Sequence, residues 1–190
     1  DSEVRLNPRE LRMDFGWLKK MIYVGLPAGL QSTMYTISNI IVQATVNSFG
    51  TNTIAAVTAY GKMDVLFWMV INAFGIAITT FVGQNYGAGQ VKRAFQGFRI
   101  SFALSAFATL FLSAVIWFFG MDFLHFFTKD PDVLAICRRL IHYVVPFFIT
   151  YIPIELCSGT LRGMGNSWIP MIMTMIGVCV LRLFWIFLAV

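Results

Sequence analysis

The stretch TTFVGQNYGAGQVKRAFQGFRIS, residues 79–101, decides the fold that we predict for this chain. An apolar run stops at Gly83, a glycine-rich turn follows as far as Gly89, and a second long apolar run begins at Ile100. The basic residues beside the turn are Lys92, Arg93 and Arg99. Glycine lets the backbone turn sharply at positive φ, and Lys and Arg gather on the cytoplasmic side of short loops. The stretch therefore predicts two membrane spans joined by a tight cytoplasmic turn.

The composition favours a membrane protein. The chain is 58% hydrophobic and 12% charged, with a mean hydropathy of +0.74, whereas a soluble domain carries roughly 25% charged residues. A buried helical hairpin in a soluble protein is the alternative, but such proteins rarely carry several uncharged runs of about 20 residues. The net charge of +5 is no nucleic-acid footprint, because the basic residues lie at the ends of apolar runs. That position suits anionic lipid headgroups.

We predict an all-α, polytopic membrane helix bundle with five transmembrane helices. The apolar runs place these spans at about 21–47, 61–82, 98–119, 134–156 and 168–190. Nine Lys and Arg residues then lie on the cytoplasmic side and four outside. The predicted cytoplasmic segments are the basic linker 1–20 and the turns 83–97 and 158–167; residues 48–60 and 120–132 are predicted outer loops. Because the chain starts at Asp1 and ends in an apolar run, we expect a fragment of a larger membrane protein.

The first two spans carry polar side chains on one face. At 100° per residue, one half of the first span collects Gln31, Ser32, Tyr35, Thr36, Asn39, Gln43 and Asn47. A narrow arc of the second span collects Asp64, Trp68, Asn72, Gly75 and Thr79. Unsatisfied amides in lipid cost several kcal/mol, so the polar half must face protein or a water-filled cavity. Packing through amide hydrogen bonds and cavity lining both remain open.

Three of the ionisable residues in the spans have two interpretations each. Asp64, in the first turns of the second span, is either interfacial or a functional intramembrane carboxylate. Glu155, near the cytoplasmic end of the fourth span, is either solvated by headgroups or a buried proton or cation site. Arg182 either snorkels to the outer interface or pairs with an acid or a carbonyl.

Other features of the spans predict packing and exclude chemistry. In the third span Ser101, Ser105, Thr109 and Ser113 recur every four residues, which predicts close helix packing. Pro146 and Pro153 should kink or loosen the fourth span. The sequence shows neither metal-ligand spacing nor a nucleophile–base pair, so we predict no metal site, no cofactor and no enzyme.

Five motifs together resemble the multidrug and toxic compound extrusion (MATE) transporters, over nearly the whole chain from about Arg12. They are GLPAGLQ at 25–31, FGT at 49–51, IAA at 54–56, FVGQNYGAG at 81–89 and LRGMG at 161–165. The resemblance implies a twelve-helix protein of two six-helix lobes. It identifies this chain as the interlobe linker and the first five helices of the C-terminal lobe, whose partner is the missing N-terminal lobe.

The resemblance also implies a function: a secondary active multidrug efflux transporter of the cell (plasma) membrane. Such a protein exchanges cationic or amphipathic organic compounds for protons or sodium by alternating access of two lobes. At matching positions the cavity would be lined by Tyr35, Asn39, Gln43, Trp68 and Asn72, with Asp64 attracting the substrate. Some sodium-coupled members carry an acid partway along the first helix of this lobe, near the place of Tyr35 here. The coupling ion, H+ or Na+, therefore stays unassigned, with Asp64 and Glu155 as the coupling candidates in this chain.

Two other functions compete with drug export. A lipid-linked oligosaccharide flippase of the same superfamily should carry more cationic residues inside the spans to meet pyrophosphate, and only Arg182 qualifies by sequence. The second is a non-transporting membrane scaffold or sensor. The only sequence feature that argues against it is the polar face of the first span.

Overall fold

The computed structural model describes residues 14–189, which form helices and turns only. The first three spans are single helices, α1 (Phe15–Ser48), α2 (Thr51–Gly87) and α3 (Val91–His125). In the fourth span, α4 (Pro131–Val144) and α5 (Phe148–Gly163) are joined by a 3-10 turn, Val145–Phe147. In the fifth, α6 (Trp168–Thr174) and α7 (Leu181–Ala189) are joined by a π-helical segment, Met175–Val180. The predicted order of five helical spans is confirmed.

The helices are longer than the apolar runs that predicted them. Four spans are long and apolar enough to cross a membrane, whereas α1, with its polar side chains, is not among these four. A helix of 37 residues such as α2 is about 55 Å long, well beyond a hydrocarbon core of about 30 Å. Hydropathy marks only the part of a helix inside the hydrocarbon, and the remainder continues into the headgroups and water.

The helix ends correct several predicted loops. The first helix begins at Phe15, where Asp14 caps it by accepting from the amide of Gly16 at 2.8 Å, so residues 15–20 are helical. The rest of the linker, 1–13, lies outside the described residues. The predicted outer loop 48–60 is mostly helix, because α2 starts at Thr51 after Gly50 turns the chain at φ 93°.

The two turns that the sequence predicts to be cytoplasmic are also shorter than expected. Residues 83–87 belong to α2, and only Gly89 in that turn has positive φ, 73°. Similarly, α5 continues to Gly163, and the chain turns at Gly165, with φ 86°. Most glycines in these two motifs are therefore not turn residues.

The centre of the bundle is α2, which packs against α3 and along the whole fourth span. The contacts between α2 and the fourth span keep an almost constant offset in sequence. Near the outer end, Cys137 Sγ donates to the carbonyl oxygen of Ala56 at 3.5 Å. Further in, the rings of Phe67 and Phe148 stack with centroids 4.0 Å apart. The two spans thus run parallel, as alternation across a membrane requires of a second and a fourth span.

The inner halves of α2 and α5 meet through glycines. A Cβ placed on Gly159 would lie 2.9 Å from the carbonyl oxygen of Gly75, and one placed on Gly163 would lie 2.6 Å from that of Thr79. Neither position 159 nor position 163 has room for a larger side chain. Small residues at four-residue intervals therefore determine how closely α2 and α5 approach each other. The motif glycines 83 and 163 pack on each other here, since a Cβ on Gly83 would lie 3.3 Å from the carbonyl oxygen of Gly163.

Two further sequence features have visible effects. Ser105 and Thr109, from the middle of the four-residue repeat in α3, are 0% and 1% exposed, as close packing requires. Pro146 lies in the 3-10 turn that interrupts the fourth span, whereas Pro153 lies within α5. The π-helical segment of the fifth span was not predicted.

Candidate functional site

An open cavity of about 940 Å³ lies between α1, α2, the inner part of the fourth span and the fifth span. Its wall mixes amides, hydroxyls, aromatic rings and charged groups. The lining residues that carry polar or aromatic groups are Gln31, Ser32, Tyr35, Thr36, Asn39, Asp64, Trp68, Asn72, Thr79, Thr80, Tyr151, Glu155, Arg162 and Arg182. A cavity of this size, with apolar surface and a few convergent polar groups, is suited to binding a small organic molecule.

The structure brings five of the six predicted substrate-binding residues to this wall: Tyr35, Asn39, Asp64, Trp68 and Asn72. The sixth, Gln43, is not among the lining residues. It lies one turn nearer the outer end of α1 and donates to the side chain of Asn47 at 3.0 Å. Residues four apart on a helix can bond in this way, so the predicted role of Gln43 at the cavity is replaced by a contact within α1.

Asp64 and Trp68 form one unit on the α2 side of the cavity. The indole Nε1 of Trp68 donates to Asp64 Oδ2 at 2.7 Å, and the edge of its ring meets Tyr151 with centroids 4.8 Å apart. The other carboxylate oxygen, Oδ1, is buried and has no hydrogen-bond partner among residues 14–189. Because α2 begins at Thr51, Asp64 lies about three and a half turns inside the helix. The helix thus begins ten residues before the span that hydropathy predicted, at 61–82.

Glu155, the second candidate for ion coupling, forms an ion pair on the α5 side of the cavity. Its Oε1 accepts from Arg162 Nη2 at 2.8 Å, and the side chains of Glu155 and Arg162 are 15% and 26% exposed. One of the two alternatives predicted for Glu155 was a carboxylate solvated by lipid headgroups. The structure shows instead a carboxylate that is paired with Arg162. Arg162 was placed in a cytoplasmic turn by sequence, but it lies in the last turn of α5 and folds back by two turns toward Glu155.

Two hydrogen bonds join α1 to the fifth span beside the cavity. Gln31 Nε2 donates to Thr174 Oγ1 at 2.9 Å, and Arg182 Nη1 donates to Asn39 Oδ1 at 2.9 Å. From the first bond to the second, the position on α1 rises from 31 to 39 and the position on the fifth span rises from 174 to 182. The two spans therefore run parallel, as the first and fifth spans of an alternating topology must. The polar half of α1 therefore both packs through amides and lines the cavity. Arg182 pairs with a side-chain carbonyl instead of snorkelling outward.

Sequence reasoning missed Tyr151, Arg162 and Thr80 as wall residues. Tyr151 and Arg162 lie on α5, which shows no polar stripe of the kind seen in the first two spans, and Thr80 lies on α2 outside the predicted arc that ends at Thr79. Among residues 14–189, no group of three or more His, Cys, Asp or Glu side chains lies close enough to hold a metal ion.

Comparison with known proteins identifies the family. The MatE family profile matches residues 27–188, which is most of the chain. This chain belongs to the MatE family. The match includes every helix that lines the cavity, so the cavity is a feature of the MatE part of the chain.

Relatives of this MatE chain are bacterial proteins. It is 26% identical over 163 residues to the probable multidrug resistance protein YpnP of Bacillus subtilis, covering 85% of this chain and 36% of that protein. It is 25% identical over 171 residues to the probable multidrug resistance protein NorM of Thermotoga maritima, covering 87% and 36%. It is also 25% identical over 168 residues to a FAD transporter of Shewanella oneidensis, covering 88% and 36%. The chain thus spans a little over a third of the length of these relatives, as the predicted larger transporter requires.

Proposed function

We propose that this chain is one lobe of a secondary active exporter of small organic compounds, and that its cavity is half of the substrate-binding site. One observation carries the proposal. Five polar and aromatic residues that the sequence placed on two separate spans meet on the wall of a single open cavity of about 940 Å³. The names of the multidrug resistance relatives support the same class of substrate.

The wall suits flat, amphipathic molecules. Trp68 and Tyr151 offer aromatic faces and edges, on which a planar ring or an organic cation can rest. Asn72 and Asn39 provide amide groups at the same surface. Such a wall recognises a chemical class without strict geometry, which is what an exporter of several drugs needs.

Transport would proceed by alternating access. In our proposal the cavity is completed by a second lobe, the missing N-terminal one. Rocking of the lobes against each other would then open the site to one side of the plasma membrane at a time. The rigid contact between α2 and α5 supports movement of this lobe as a single body, because glycine packing leaves little room for the helices to slide.

Coupling to an ion gradient is proposed at Asp64 or Glu155. Asp64 Oδ1 is buried and accepts no hydrogen bond from any residue in the described range, which leaves a position for a proton or a cation. Glu155 would have to release Arg162 before it bound either ion. Both H+ and Na+ remain candidates.

The test is an efflux assay with the full-length protein in proteoliposomes, using panels of drugs and dyes under imposed proton and sodium gradients. We expect gradient-driven export of several aromatic cations, and a dependence on one of the two ions. Absence of export under both gradients would refute the proposal and favour a scaffold.

A lipid-linked oligosaccharide flippase is the second candidate. The structure adds Arg162 to the wall beside Arg182, so two guanidinium groups face the cavity instead of the one expected. However, Arg162 is neutralised by Glu155 at 2.8 Å. Among residues 14–189, Arg182 is the one cavity cation without an ion-pair partner that a pyrophosphate would meet, which favours the exporter.

A further inference from the structure

The charges on the cavity wall are not all paired. The four charged residues that line it are Asp64, Glu155, Arg162 and Arg182, two acids and two bases. Glu155 and Arg162 neutralise each other at 2.8 Å. Asp64 and Arg182 have no oppositely charged partner within 4.0 Å in the part of the chain that the structure describes. The cavity therefore holds one free negative and one free positive group.

The environment of Arg182 leaves most of its binding capacity unused. Its one hydrogen bond among the described residues goes to the neutral amide oxygen of Asn39, at 2.9 Å. A guanidinium has five N–H donors in a planar fork that matches the two oxygens of a carboxylate or phosphate. A charged group at this depth in a membrane is costly unless it faces a water-filled cavity or a partner. Arg182 faces the cavity, where no residue of the described range 14–189 neutralises its charge.

The π-helical segment explains how Arg182 reaches the wall. Eight α-helical steps from Thr174 to Arg182 would rotate the side chain by about 80° from the direction of Thr174. A π-bulge inserts one extra residue, so eight steps rotate about as far as seven α-helical ones and bring Arg182 to within about 20° of that direction. Thr174 contacts Gln31 on α1 at 2.9 Å, and Arg182 consequently meets Asn39 on the same helix.

We propose that Arg182 is the oxyanion-binding residue of this cavity. With Asp64 and Trp68 it would let the cavity bind, besides aromatic cations, amphoteric compounds, which carry a carboxylate or phosphate group together with an aromatic or cationic body. Asn39 positions the guanidinium against the wall, and the planar fork remains available for the oxyanion. This inference rests on the proposed transport function, and it adds to it a specific chemical class and the residue that selects it.

The experiment compares matched ligands on the full-length purified protein. One pair is a xanthene dye with a free carboxylate and its methyl ester, which differ in a single negative charge. A second pair, a phosphate monoester dye and its neutral triester, distinguishes phosphate from carboxylate as the preferred oxyanion. Fluorescence titration gives a Kd for each compound, and gradient-driven efflux is measured in parallel.

Arg182→Gln removes the charge but keeps an amide donor. We expect it to weaken binding of the acid about tenfold more than binding of the ester, which corresponds to the loss of one charge-assisted hydrogen bond. Arg182→Lys, which keeps the charge without the planar fork, should give an intermediate ratio. Arg138→Gln, on the outward part of α4 and not among the cavity residues, is the matched control and should leave the ratio as in the wild type.

Equal weakening of acid and ester by Arg182→Gln would overturn the proposal and leave Arg182 as a packing residue. The wild type supplies a test that does not depend on a folded variant: binding of the ester more than tenfold tighter than the acid would also overturn it. Failure of the proposed function looks different, because the wild type would then export neither compound under any gradient.

Discussion

The hydroxyl oxygen of Thr79 on α2 lies 3.0 Å from the carbonyl oxygen of Gly159 on α5 and 2.7 Å from that of Gly75 in its own helix, so its single proton is shared between the two carbonyl groups. A threonine hydroxyl is short, so it reaches the backbone of another helix only where the two helix axes are unusually close. The glycine at 159 provides that closeness, since a Cβ there would lie 2.8 Å from Ile78 Cγ2. Thr79 also lines the cavity, so the contact fixes one part of the wall.

Alanine at Gly163 is expected to destabilise the lobe by about 1–3 kcal/mol, because its Cβ would lie 2.6 Å from the carbonyl oxygen of Thr79. A backbone oxygen cannot move aside as a side chain can, so α2 and α5 would have to separate. Thermal unfolding of the detergent-solubilised protein should show a lower Tm. The matched control is Gly61→Ala on α2, where no atom lies within 4 Å of the added carbon. If both variants melt like the wild type, the glycine contact does not set the helix approach.

Truncation of Trp68 to alanine should change the substrate profile. Trp68 offers its ring to the cavity and anchors Asp64 at 2.7 Å, so its loss removes a stacking contact of about 0.5–2 kcal/mol. We expect a roughly two- to thirty-fold loss of apparent affinity for aromatic cations, with smaller effects on non-aromatic substrates. Efflux assays across a drug panel measure this. Trp117→Ala, which truncates a ring that packs on His142 away from the cavity, serves as the control. Parallel losses for every compound would indicate a folding defect instead.

The Glu155–Arg162 ion pair should be energetically coupled. Both side chains are largely buried, so Glu155→Gln and Arg162→Gln would each leave one charge without its partner. We expect each single variant to lower the Tm and the double variant to lower it by less than the sum. A double-mutant cycle on unfolding should give a coupling of about 1–3 kcal/mol. Strictly additive effects would show that the contact contributes nothing to stability.

Topology is testable with two cysteine probes in a cysteine-free background, which replaces the native Cys137, Cys157 and Cys179. Gln90 is exposed in the turn after α2, and Lys129 is exposed in the turn after α3, at the opposite ends of these helices. The excess of Lys and Arg beside Gln90 predicts that this turn is cytoplasmic. Membrane-impermeant maleimide should therefore label Lys129→Cys and not Gln90→Cys in intact cells. The reverse pattern would invert the whole assignment.

The 190-residue chain alone is expected not to transport. Its cavity is open, and in the proposed mechanism a second lobe closes it. Reconstitution of residues 1–190 beside the full-length protein, with equal amounts inserted in vesicles, is the comparison. Gradient-driven efflux by the shorter chain would contradict the two-lobe mechanism.

The amino-acid sequence alone was enough to predict the number and order of the spans, because a membrane demands long apolar runs and helices that satisfy their own backbone groups. Helical periodicity also placed Tyr35 and Asn39 on one face of α1 and Asp64, Trp68 and Asn72 on one face of α2, and the structure places all five on the wall of the cavity. The length of a span and the residues that share one of its faces are properties of a single helix, so a periodic pattern in the sequence can predict them.

The tertiary structure decided how the helices meet around the cavity. Glu155 and Arg162 are seven residues apart on α5, so helical periodicity already puts them on one face, and the structure shows that they pair and that this face lines the cavity. The bond from Arg182 to Asn39 depends on a π-helical segment that α-helical periodicity does not anticipate. The structure also assigned Gly83 and Gly163 to helix contact instead of turns. The physical reason is common to the last two cases. Helix faces are local and periodic, whereas these contacts depend on the distance between helices that are about 80 residues apart in sequence or more.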